Sequence, residues 1–174
     1  MTRMLAPPFS PVPRDFPGHD MPATVPSNMR LELSRSLIRQ GKEREFEEWM
    51  SMLGNHYDEV LKALPAERAV FEATFRHIDA DGATWIYHLA LMGREGHGLD
   101  ESNPVGEAHA DYSRRTKEPG WEELEPMFML TPAHLRDAME QWAGTGTATH
   151  GDDGSASITT GSGPDYTLDS EEPH

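Results

Sequence analysis

From Met29 to Leu37 the chain alternates Met29, Leu31, Leu33 and Leu37 with Arg30, Glu32, Ser34 and Ser36, the two-residue period of a strand. After Gly41 the period lengthens. Phe46, Trp49, Met50, Leu53, Tyr57, Val60, Leu61 and Leu64 recur at spacings of three and four, which predicts one helix over 42–64, about six turns long, with a wide apolar stripe. Pro65 is expected to end it, and Gly54 to weaken it by roughly 1 kcal/mol relative to Ala. Strands over 68–78 and 83–92 follow, joined by Asp79-Ala80-Asp81-Gly82, whose Asp-Gly pair favours a tight type I′ hairpin. A Gly-rich connector at 93–98 leads to a short helix with Val105, Ala108, His109, Tyr112 and Thr116 on one face, closed by Pro119-Gly120. Residues 122–130 read as a last strand, which Pro126 places at a sheet edge. Thr131-Pro132 opens a terminal helix to Trp142.

This order predicts an α+β domain over 29–142, a βαββαβ antiparallel four-stranded sheet with two helices on one face. The second, third and fourth strands are apolar on both sides, with Phe71, Ala73 and Phe75 against Val70, and Trp85, Leu89 and Leu91 against Ile86, Ala90 and Met92. Two helices cover one face only, so a second copy of the chain is the expected cover for the other, in preference to the terminal tails, whose composition disfavours folding over it. Residues 1–28 carry Pro at 7, 8, 11, 13, 17, 22 and 26 and read as a flexible arm. Residues 143–174, rich in Gly, Thr, Ser and Asp, read as a disordered tail. Both are expected to be dispensable for folding.

Several phrases are more specific than the order of elements. Gly41-Lys-Glu-x-x-Phe46-x-x-Trp49, Phe71-Glu72-Ala73-x-Phe75-Arg76, Trp85-Ile-Tyr87 and Glu101-Ser102 resemble a bacterial family known only as domain of unknown function 6176, within the dimeric α+β barrel (ferredoxin-like) group. The likeness covers about three fifths of the chain and neither tail. It implies the ferredoxin-like unit and a homodimer. The wider barrel group includes cofactor-free monooxygenases, polyketide cyclases and haem-binding enzymes, an analogy of scaffold that does not fix a function.

Charge and composition narrow the partners. The 174 residues carry a formal charge of −15. Six acids and no Lys or Arg lie in 143–174, while two acids and two bases balance in 1–28. With no basic cluster there is no footprint for nucleic acid or for an anionic membrane. The absence of cysteine excludes disulfides, thiolate metal sites and cysteine nucleophiles. No apolar run is long enough to span a bilayer, and the N-terminus lacks an export signal, so a cytoplasmic location is expected. A small molecule, with a second copy of the chain, is the expected partner.

Candidate chemistry depends on the hairpin register. With Asp81-Gly82 as the two central turn residues, Arg76 lies opposite Tyr87 and Glu72 opposite Leu91, so Glu72, Arg76, Tyr87 and Trp85 share one surface. A three-residue turn shifts the register by one and puts Glu72 with His88 instead. Glu72 interrupts an apolar strand, where a carboxylate is either ion-paired (with Arg76, or with Arg35 on the first strand) or raised in pKa as a general acid or base. His109 on the inward face of the second helix is either a core histidine or a proton shuttle. The expected catalytic set is Glu72, His109, Arg76 and Arg35, with Tyr87, Trp85, His88 and Tyr112 binding substrate. No metal-ligand spacing appears among the nine histidines, and Asp79-x-Asp81-Gly82 lacks the remaining ligands of a calcium loop. The expected activity is cofactor-independent cyclisation, isomerisation or oxygenation of an apolar or aromatic metabolite. The alternatives are haem binding through His109 or His88 and a non-catalytic ligand-binding dimer.

Overall fold

The computed structural model describes residues 8–148. Its elements run β1 (Met29–Leu37), α1 (Glu43–Asn55), α2 (Tyr57–Glu67), β2 (Ala69–Ile78), β3 (Thr84–Gly93), α3 (Pro104–Thr116), β4 (Glu122–Leu124) and α4 (Ala133–Thr145). The fold is α+β. Four strands form one sheet in the order β2-β3-β1-β4, every neighbour antiparallel, an arrangement compatible with the ferredoxin-like expectation. Among the described residues, no helix is long and apolar enough to cross a membrane.

The single helix expected over 42–64 is two. Gly54 and Asn55, both poor helix formers, precede His56, whose φ of −113° and ψ of 31° interrupt the spiral. Pro65 does not end the second piece. It sits in the last turn of α2, and the chain leaves the helix at Arg68, in the left-handed conformation with φ 56°. The last strand is far shorter than the expected 122–130. β4 pairs with β1 only through Leu124, Glu123 and Glu122, because Pro126 has no N–H to continue the ladder.

The hairpin turn has three residues, Ala80 to Gly82, and not two. Gly82 N donates to Asp79 O at 3.0 Å and Asp79 N to Ala83 O at 3.0 Å, with Gly82 at φ 86°. This is a type I turn followed by a left-handed glycine. Ala83 N and Trp85 Nε1 each donate to the Asp79 carboxylate at 2.9 Å, which ties the turn to β3. Glu72 therefore faces Ala90, Thr74 faces His88, Phe75 faces Tyr87 and Arg76 faces Ile86.

Each face of the sheet carries its own core. On one, Ile86 packs with Ile38, Phe46 and Trp49, and with Tyr112 of α3. On the other, Met29 and Leu91 pack with Val25 and Ala143, and with Met21 and Met139. The stretch expected as a dispensable arm thus supplies Val25 and Met21 to a core over residues 8–28, and Phe9 meets Trp85 edge-on at 5.7 Å. α4 covers the same end of the second face. Its axis comes so near β3 that an ideal Cβ on Gly93 would lie 2.2 Å from Ala143 O. Trp142 Nε1 donates to Ala69 O at 2.8 Å. α4 runs to Thr145, past the expected start of the C-terminal tail. The rest of that tail, and residues 1–7, lie outside the described residues.

Candidate functional site

The observed register divides the expected site into three groups. Trp85, Tyr87 and Arg35 lie on the face away from α1 and α3. There Arg35 forms an ion pair with Glu122 and stacks 4.1 Å over the Trp85 ring. Arg76 and Glu72 lie on the other face, at the edge strand β2. Arg76 pairs with Glu47 of α1 at 2.9 Å and not with Glu72. Surrounding protein raises the Glu72 carboxyl above the ordinary carboxylate range. The side chain is nevertheless exposed, and it forms no ion pair or hydrogen bond with any described residue. The shared surface of Glu72 with Tyr87 and Trp85 is therefore corrected: a three-residue turn moves Glu72 to the opposite side of the sheet.

The third group is His88, His109 and Tyr112, which the fold does bring together. α3 begins with Asn103 accepting from Gly106 N at 2.8 Å and Pro104 in its first turn, a well-capped start. His109, Tyr112, Ser113 and Thr116 follow at helical spacing on the inward stripe. Trp49 of α1 joins them: Trp49 Nε1 donates to His109 Nδ1 at 3.3 Å, and the Trp49 and Tyr112 rings stack at 6.5 Å. Lys117, just past α3, places its ammonium 5.7 Å from the centre of the Trp49 ring.

His109 is the most perturbed base here. Burial, then the charges of Lys117 and His88, bring it from 6.5 to about 4, so it is neutral at pH 7. Because an indole N–H can only donate, Nδ1 of His109 is the bare nitrogen and Nε2 carries the proton. That tautomer does not fit an axial haem ligand, which coordinates through a bare Nε2 while its Nδ1–H donates. His88 is lowered by burial and by Lys117, with Glu32 opposing. Burial lowers Lys117 as well.

His88 and Lys117 border a cleft of about 660 Å³, within the size range of small-molecule sites. Its floor is the polar side of β1 (Arg30, Glu32, Ser34, Ser36) with His88 of β3. One wall is the end of α3 and the chain through Lys117 to Trp121, and the other is Phe16-Pro17-Gly18. Four basic residues, Arg30, Arg39, Arg114 and Lys117, line it in a chain of charge −15. Sequence reasoning missed Arg39, Lys117 and Trp49. Lys117 and Arg39 stand 78 positions apart and form no cluster in the sequence. The alternation of β1 marked Glu32, Ser34 and Ser36 as a polar stripe but not as a cleft floor. Of the expected site residues only His88 lines this cleft; Glu72, Arg76, Arg35, Tyr87, Trp85, His109 and Tyr112 do not. Among the described residues, no group of three or more His, Asp and Glu side chains is arranged to hold a metal ion.

Residues 29–137 match the model of a family described as a family of unknown function (DUF6176). No curated protein matches the chain.

Proposed function

Since the chain belongs to the DUF6176 family, whose description assigns no activity, we propose its function from the cleft: a cofactor-independent enzyme that moves a proton on a small carbonyl compound. The observation that carries this reading is that His88 and Lys117, both half-buried, line one cleft of about 660 Å³, where burial lowers the pKa of each. His88, on the cleft floor, takes a proton from carbon next to the carbonyl. The electron pair moves onto the carbonyl oxygen, and the Lys117 ammonium holds the enolate that forms. The protonated His88 then returns its proton, to the same carbon or to another. Return to a different carbon isomerises the compound; where the enolate instead attacks a second carbonyl, a carbon–carbon bond closes a ring and the His88 proton goes to the alkoxide that forms. His109 acts as a positioning residue. Kept uncharged by burial and by the charges of Lys117 and His88, it adds no repulsion to Lys117 and no competing acid.

The molecule works as a homodimer on this reading. Phe71 and Phe75, 38% and 55% exposed, and Leu124, 39% exposed, lie on the sheet face that α4 and residues 8–28 cover only in part. Met127, Phe128 and Leu130, which follow β4, are exposed as well. A soluble chain rarely leaves such a patch bare.

Deuterium uptake tests the chemistry. The full chain is incubated in D2O with a panel of aryl ketones, β-keto acids and 2-keto acids, and exchange is followed by proton NMR against buffer. At least one compound is expected to exchange faster than in buffer, and His88→Gln to slow that exchange by about 100-fold or more. Exchange at the buffer rate across a panel whose members bind would make the protein a binding module instead.

A further inference from the structure

Arg39 sits just after β1, in the stretch that joins the sheet to α1, and lines the cleft beside Lys117 and Arg114. Its guanidinium is held from one side. Nε donates to Lys117 O at 2.8 Å, and one terminal nitrogen reaches Arg114 O at 3.4 Å, so the last turn of α3 fixes its plane. The adjoining backbone is fixed too, by Arg39 N donating to Thr116 O at 2.9 Å. Arg39 forms no ion pair with any described carboxylate, whereas Arg30 pairs with Glu32 at 2.9 Å and Arg114 with Glu101 at 3.2 Å. Among the described residues, nothing bonds the edge that joins the two terminal nitrogens.

An immobilised guanidinium with a free edge in a cleft is built for a planar oxyanion, which it meets with two parallel N–H donors. The remaining charges limit how negative that ligand can be. Glu32, Glu118 and Glu123 also line the cleft, and each repels a second negative charge. Phe16, Pro17 and Trp121 supply apolar wall.

We propose that Arg39 is the specificity-determining anchor of this cleft, and that the ligand it selects is a small monocarboxylic acid with a flat apolar body. The proposal rests on the cleft identified under the proposed function. It narrows the compound on which His88 would act to one with both a carboxylate and a carbonyl. It does not depend on turnover, because it concerns binding alone.

The test is calorimetric titration of the full chain with phenylpyruvate and benzoate, each against its amide, and with phenyl phosphate. The acids are expected to bind at least 10-fold tighter than the amides and tighter than phenyl phosphate, with affinity falling as salt rises. Arg39→Gln keeps a donor for the carbonyls of α3 but removes the charge, and should collapse the acid-to-amide ratio toward one. Arg39→Lys should restore part of it. Where Arg39→Gln fails to fold, the guanidinium NMR signals of the unaltered protein decide the matter: they should move with benzoate and stay still with benzamide. Equal affinity for acids and amides, no binding by either, tighter binding of phenyl phosphate, or an unchanged ratio in a folded Arg39→Gln each overturns the proposal. Acids that bind without deuterium exchange would end the catalytic reading and leave this one standing, while exchange without any preference for acids would do the reverse.

Discussion

Trp49 donates its indole N–H to Nδ1 of His109 across the α1–α3 contact, at 3.3 Å. The bond fixes which imidazole nitrogen carries the proton, since the indole cannot accept. In the 15N spectrum of the unaltered protein near pH 7, His109 should show a bare Nδ1 and a protonated Nε2. Trp49→Phe removes the donor and should return His109 toward a mixture of tautomers, at a cost of about 3 kcal/mol or less from the lost hydrogen bond and packing. A protonated Nδ1 in the unaltered protein would contradict the assignment.

Acid should weaken the fold through the same residue. His109 has its folded-state pKa lowered from 6.5 to about 4, by burial first and then by the charges of Lys117 and His88. Between those values the unfolded chain binds a proton that the folded chain refuses. The contribution is therefore complete above pH 6.5 and is lost as pH falls toward 4. His88 acts in the same direction. For His109 alone the loss amounts to about 3 kcal/mol at most. Urea midpoints from pH 7.5 to 4 should fall in the native protein and fall less steeply in His109→Gln. Parallel profiles would contradict the shift.

The strands and helices were legible because their periods of two and near four are written in consecutive residues. Met29 to Leu37 gave β1, and Phe46 and Trp49 gave the inward stripe of α1. The one-residue difference between a two- and a three-residue turn was not legible, since Asp81-Gly82 suits both. That single residue decides whether Glu72 shares a face with Tyr87 or with His88. His88, His109 and Tyr112 were legible as candidates because His88 falls mid-strand and His109 and Tyr112 share one face of a helix. Lys117 and Arg39 were not, because lysine and arginine after helix and strand ends are ordinary solvated residues until the fold turns them into one cleft. The Pro-rich stretch misled for a related reason. Proline forbids regular structure, but it does not prevent an irregular segment from burying Val25.

That segment should carry measurable stability. Val25 is 5% exposed, packed in the cluster that holds Met29, Leu91 and Ala143. Truncation to alanine leaves a cavity that α4 and the sheet cannot close. Val25→Ala should cost about 2 kcal/mol in urea unfolding. A dispensable arm predicts no change.

Gly93 should tolerate no side chain. It ends β3 where Ala143 O of α4 crosses it, and an ideal Cβ would sit 2.2 Å from that oxygen and 2.9 Å from Arg68 Cβ. The obstacle on the α4 side is backbone, so relief requires the whole helix to shift. Gly93→Ala should cost about 1–3 kcal/mol, read from the urea midpoint. It should also weaken the bond from Trp142 Nε1 to Ala69 O, seen as a shift of the indole N–H signal. An unchanged midpoint would show that α4 is loosely held.

The open sheet face gives the sharpest test of assembly. Phe75 is 55% exposed, opposite Tyr87 in the register and on the same side as Phe71 and Leu124. If a second copy covers that side, a carboxylate at this position is buried against apolar surface without a partner, which is far costlier than at a free edge. Sedimentation should show the unaltered chain as a dimer at tens of micromolar and Phe75→Asp as a folded monomer. An unaltered chain that sediments as a single subunit would mean that Phe71 and Phe75 face water, and the homodimer would fall. The cleft at His88 and Lys117 would survive that result, because it lies on the opposite side of the sheet.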